Sequence, residues 1–144
     1  MRTNNLKPVA FSLLMLFFSA FNMAKGEKGS SAAQKSSVAE FAGDWSGEEK
    51  CQNISAPVAR ITITAKSDEM VYVSGLYSTV GNVVGTVKGN TITIPRQIIP
   101  DPLFVNFRIE GTLTLARNKK TINAIIIVSN NDARDYCSGT YSKQ

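Results

Sequence analysis

From residue 43 to residue 141, apolar and polar residues alternate in short runs, and turn-forming residues separate the runs. A period of two marks a strand with one buried face. No stretch in this span repeats apolar residues at helical spacing for a useful length. Residues 59–65 (ARITITA) place Ile61 and Ile63 on one face. Residues 70–74 (MVYVS) do the same with Val71 and Val73. Residues 43–51, 82–87, 91–94, 104–115, 121–128 and 136–141 complete a set of about eight short strands in sequence order. Lys88-Gly89-Asn90 reads as a tight turn, because Gly and Asn tolerate positive φ. Pro95 is expected to end its strand, and residues 96–103, with two further prolines, to form an irregular loop.

A flat sheet of eight strands leaves two open edges and an uncovered apolar face, and closure removes both problems. The expected fold is therefore all-β, a single antiparallel up-and-down barrel. Its core would comprise Trp45, Ile61, Ile63, Val71, Val73, Ile92, Ile94, Phe107, Ile109, Leu113, Ile122 and Ile126. Gly111 in mid-strand suggests a bend or bulge. Ile122, Ala124, Ile126 and Val128 share one face of their strand, with Ile125 and Ile127 on the other, so cover on both sides is expected there.

The N-terminus reads as a secretory signal over residues 1–26. Arg2 and Lys7 precede an apolar run of 13 residues, 9–21, too short to span a bilayer comfortably. Cleavage is expected near residues 24–26. Residues 27–40 are rich in Ser, Ala, Lys and Gln and read as a flexible tether, leaving 41–144 as the barrel domain. The whole chain carries +5, but three of its 16 basic residues and none of its 11 acidic ones lie in the leader, so the remainder carries about +2. Arg117, Lys119 and Lys120 form a local cluster without an aromatic-interleaved stripe, and no nucleic-acid partner is expected. No membrane span is expected after signal removal, and a monomer is the expected state.

Two cysteines in an exported chain imply one disulfide, Cys51–Cys137, and a secreted or periplasmic location. It would join the first and last strands. With Cys51 facing Cys137 in antiparallel register, Gly47 falls opposite Tyr141, and the ring is expected to lie over that glycine. The same parity points Glu49 inward beside Trp45, a conflict that a bulge near Glu48 would remove.

At Gly43-Asp44-Trp45 the chain resembles the lipocalin and lipocalin-like families, whose first strand begins with Gly-x-Trp and whose Trp plugs the closed end of an eight-stranded barrel. With Cys137, Gly139 and Tyr141 at its close, it is similar to the small secreted lipocalin-like domains of bacteria. The resemblance implies a barrel that carries a small apolar ligand. Secreted bacterial inhibitors of lysozyme and of metalloproteases share the architecture, which implies the alternative of a protein-binding module.

The chain has no His, which removes the usual triad base, most zinc sites and the commonest acid–base residue. The disulfide takes both thiols, and no phosphate-cradling glycine loop is present. The carboxylates show no spacing that singles out a catalytic pair. Asn130, Asn131, Asp132 and Asp135 offer oxygen ligands without the rest of a calcium loop. Asn53-Ile54-Ser55 is a glycosylation sequon, meaningful only in a eukaryotic secretory host. The expectation is a non-enzymatic binding protein with no catalytic residue, cofactor or metal. It would carry a small apolar ligand or dock a protein partner.

One loop stands out as the candidate site. Ile98, Ile99, Leu103 and Phe104 place four large apolar side chains within seven residues. Pro100 and Pro102 hold the backbone extended. These side chains either cap the core or form a rigid apolar binding edge.

Overall fold

The computed structural model describes residues 37–144 apart from Ile54. The expected leader, most of the expected tether and Ile54 of the sequon lie outside the described residues. A short helix, α1 (Val38–Phe41), precedes eight strands. These are β1 (Gly43–Cys51), β2 (Ser55–Ala65), β3 (Met70–Ser74), β4 (Asn82–Lys88), β5 (Thr91–Ile98), β6 (Arg108–Leu115), β7 (Thr121–Ser129) and β8 (Arg134–Lys143). Each pairs antiparallel with its neighbour in sequence, and β1 pairs with β8, so the sheet is a closed up-and-down barrel.

The closing seam has the register expected from the cysteines. Cys51 lies opposite Cys137 and Gly47 opposite Tyr141, and the disulfide is formed. Only glycine fits at position 47, because a Cβ there would sit 1.8 Å from the carbonyl oxygen of Thr140. Gly111 meets a similar limit, with the Ile125 carbonyl 2.2 Å from the place of its Cβ.

The interior is one continuous cluster of buried side chains, including Trp45, Ile61, Ile92, Leu113, Ile122 and Tyr141. An eight-stranded barrel is about wide enough for side chains to fill it. Of the expected core, only Phe107 is half-buried, packed against the cluster's edge. It precedes β6, which starts at Arg108 where a strand from residue 104 was expected; Pro102–Phe104 instead form a 3₁₀ turn. Val38 and Phe41 of α1 join the core, and the Trp45 indole N–H donates to the Phe41 carbonyl at 2.8 Å.

β5 does not stop at Pro95 but runs on to Ile98. A register shift between Ile94 and Gln97 accommodates the proline. The β4–β5 ladder ends at Thr86 and Thr93. Beyond it the Gln97 side chain supplies the missing rung, accepting from the Val84 N–H at 2.9 Å and donating to the Val84 carbonyl at 2.7 Å. The outer side of β7 is less covered than expected, with Ile125 exposed and Ile127 half-buried.

Candidate functional site

In this topology the β1–β2, β3–β4, β5–β6 and β7–β8 connections gather at one end of the barrel. The disulfide and the candidate loop lie at that end. A second 3₁₀ turn, Leu76–Ser78, sits in the β3–β4 connection and carries two non-glycine residues, Tyr77 and Ser78, at a φ of 55°. Such left-handed backbone costs energy and persists where surroundings hold it.

What holds Tyr77 is Glu49. A register shift in the β1–β2 pairing lies between Gly47 and Glu49, as a bulge near Glu48 would give. It does not turn Glu49 outward: the carboxylate is buried. The Tyr77 N–H donates to both its oxygens, at 3.1 and 3.3 Å. The Tyr141 hydroxyl donates to Oε2 at 2.6 Å. These donors meet the need of a buried charge for partners. Burial still outweighs them and raises the Glu49 pKa above the ordinary carboxylate range. Burial, then the adjacent Glu49 charge, raises that of Tyr141. The Tyr141 ring leans along its own strand over Gly139, where a Cβ would come within 2.7 Å of the ring. Gly139 lies opposite Glu49, so this pose brings the hydroxyl to the carboxylate.

From Tyr77 the packing continues outward. Its hydroxyl donates to Asp135 Oδ2 at 3.0 Å, and Asp135 Oδ1 accepts from the Asn53 N–H at 3.1 Å. Burial, with the Asp135 bond next, pushes the Tyr77 hydroxyl up to about 12. Phe104 meets the Tyr77 ring edge to face at 5.6 Å, and Phe107 meets Phe104 at 5.8 Å.

The four candidate residues divide. Ile99 is buried at 2 % exposure, and Phe104 packs against the core. Ile98 and Leu103 project into solvent, 64 % and 86 % exposed. Two residues outside the expected set join them: Val105, 68 % exposed, and Val80, 80 % exposed. Asp101 ties the two loops together. Its Oδ1 accepts from the Leu103 N–H and its Oδ2 from the Val80 N–H, each at 2.9 Å. One buried carboxylate thus fixes the backbone of two exposed aliphatic residues from separate connections. Neither half of the clamp stood out in the sequence: Val80 is a single valine among turn residues, and Asp101 is one of several carboxylates in turn-rich segments, where a solvated charge is the ordinary reading.

Elsewhere, an open groove runs between α1 and the β2–β3 and β4–β5 turns. Its walls include Val38, Ala42, Ala65, Lys66, Val87 and Lys88. It lies at the α1 end of the barrel, opposite the clamped loops, where Ala65 and Val87 stand across from the buried Val71 and Ile92. Among the described residues, Glu49 and the two disulfide sulfurs form a cluster of metal-ligand type. The disulfide occupies the sulfurs, and Tyr77 and Tyr141 occupy the carboxylate.

No family model and no curated protein matches the chain. Solved structures do. A redesigned beta barrel aligns over 74 % of this chain and 94 % of its own, with a TM-score of 0.57 at 15 % identity. EF1p2_mFAP2b bound to DFHBI aligns over 74 % of this chain and 96 % of its own, with a TM-score of 0.56 at 13 % identity. The chain is similar to both in fold.

Proposed function

We propose that the protein is a secreted, non-enzymatic binding protein of lipocalin-like type that works through the clamped loop end of its barrel rather than through the interior. One observation carries the reading. Asp101 holds Val80 and Leu103 in fixed backbone positions with their side chains in solvent, while the interior behind them is filled. An exposed apolar edge on a rigid frame loses less ordering entropy on association than a mobile loop does. The disulfide fits an oxidising compartment.

Carriage of a small apolar ligand inside the barrel is the competing reading. EF1p2_mFAP2b, a barrel of similar fold, is bound to DFHBI. For this chain the same use would require displacing Ile and Leu side chains that are fully buried.

The two readings separate in a titration with anilinonaphthalene sulfonate, followed by dye emission in the wild-type protein and in the Ile98→Ser, Leu103→Ser double variant. Binding at the loop end is lost in that variant, because both side chains project into solvent there. Dye binding retained in it at wild-type strength would favour the interior as the site and overturn the proposal.

A further inference from the structure

We infer that Glu49, Cys51 and Cys137 form a zinc site when the Cys51–Cys137 disulfide is reduced. Together they offer one carboxylate oxygen and two sulfurs, all within 4.8 Å of one another. Strand geometry gathers them. Glu49 and Cys51 stand two residues apart on β1 and share its inner face, and Cys137 lies directly across on β8. Glu49 Oε1 is 3.9 Å from Cys51 Sγ. A disulfide sulfur has no proton to donate, so this contact supplies the carboxylate with no hydrogen bond. Its donors are the Tyr141 hydroxyl on Oε2 and the Tyr77 N–H shared between both oxygens. These occupy the carboxylate without exhausting it, because a carboxylate has about four lone-pair positions. Oε1 keeps one of them beside the sulfurs.

The ligand set suits zinc, which takes thiolates and carboxylates in tetrahedral sites and, with three protein ligands, keeps a fourth position for water. At ordinary bond lengths such a zinc ion holds a thiolate about 3.6 Å from a carboxylate oxygen and two thiolates about 3.8 Å apart. The oxygen–sulfur separation is already close to that value, so parting the sulfurs is the one movement required. The β1–β8 ladder continues through residues 45–50 and keeps the strands in register when the bond opens. Cys51 is half-buried, whereas Glu49 and Cys137 are buried, so a reductant reaches the Cys51 sulfur first. A dithiol supplies the two electrons: it becomes a disulfide, the Cys51–Cys137 bond breaks, and both cysteines become thiols. The zinc ion then takes them as thiolates, and two protons pass to solvent. A disulfide oxidant reverses both steps and expels the metal. Tyr141 is a positioning residue, its hydroxyl fixing Oε2 so that Oε1 stays turned to the sulfurs. The same carboxylate holds the Tyr77 N–H, and the Tyr77 ring meets Phe104, so the site adjoins the clamped loop end.

The test uses the full chain, oxidised or reduced with a phosphine, which adds no competing thiol. The zinc ion alone is the probe, titrated by calorimetry, and far-ultraviolet dichroism follows the fold in every sample. The reduced protein should bind one zinc ion and the oxidised protein none. Cobalt(II) in its place should show thiolate-to-metal charge transfer and the visible bands of a tetrahedral site. The Cys51→Ser, Cys137→Ser double variant should bind neither metal. Tyr141→Phe should weaken zinc binding about tenfold, and Glu49→Gln should weaken it further. Equal binding by the oxidised protein would move the metal to other groups and overturn the assignment. So would an absence of binding by the reduced protein. Unchanged affinity in Glu49→Gln or, where that variant does not fold, in Tyr141→Phe would also overturn it. A reduced chain that loses its β signal and does not regain it with zinc would do the same.

Discussion

Val80 is held by Asp101: the Val80 N–H donates to Asp101 Oδ2 at 2.9 Å, joining two loops that are 21 residues apart in sequence. The same carboxylate accepts from Leu103. Asp101→Ala should leave both amides without their acceptor and lower stability by about 1–3 kcal/mol. Hydrogen exchange at residues 80 and 103 should speed up while exchange in β6 and β7 stays slow. Unchanged exchange at both amides would remove Asp101 from the role of clamp.

Glu49 supplies a pH signature. Its pKa is raised in the folded protein, chiefly by burial. A carboxyl group raised on folding contributes stability that is fully present at low pH and lost as pH rises through the folded value. Relative to Glu49→Gln, the wild-type protein should therefore lose stability on going from about pH 4, below the unfolded carboxylate range, towards neutrality. Melting temperatures of the two proteins across that window check the sign. A wild-type advantage that grows with pH would contradict it.

Tyr141→Phe removes one donor from the same carboxylate. The expected loss is about 1–3 kcal/mol, larger at neutral than at acid pH, because the charged form depends most on that donor. Urea unfolding at the two pH values measures it.

The disulfide closes a loop between positions 86 apart. In the chain-entropy description, replacing both cysteines by alanine should cost about 4–5 kcal/mol. The β1–β8 ladder continues through residues 45–50, so the barrel should remain folded without the bond. Urea titration with far-ultraviolet dichroism tests both statements.

Trp45→Ala should cost about 3–5 kcal/mol, because the ring is fully buried in the core. It also leaves the Phe41 carbonyl without the indole donor. An unchanged melting temperature would exclude Trp45 as an anchor for α1.

Closure and register were legible in the sequence because two cysteines and a period of two leave little freedom. Pairing Cys51 with Cys137 alone sets Gly47 against Tyr141. The inward side of Glu49 followed from the same parity. Its partners did not, because Tyr77 and Tyr141 reach it across 28 and 92 positions of sequence. The continuation of β5 past Pro95 was hidden for a similar reason: a glutamine side chain, which no backbone propensity describes, stands in for a ladder rung. Within the candidate loop, composition marked Ile98, Ile99, Leu103 and Phe104 alike. Only the fold separates Ile99 and Phe104, which face the core, from Ile98 and Leu103, which face solvent.

The most direct measurement on the loop end is the affinity of anilinonaphthalene sulfonate for the Ile98→Ser, Leu103→Ser double variant, taken with its melting temperature. Both side chains are largely exposed, so stability should change by no more than about 0.5 kcal/mol for each. The expected result is dye binding lost with the melting temperature retained. Dye binding retained at wild-type strength would contradict the loop end as the binding surface.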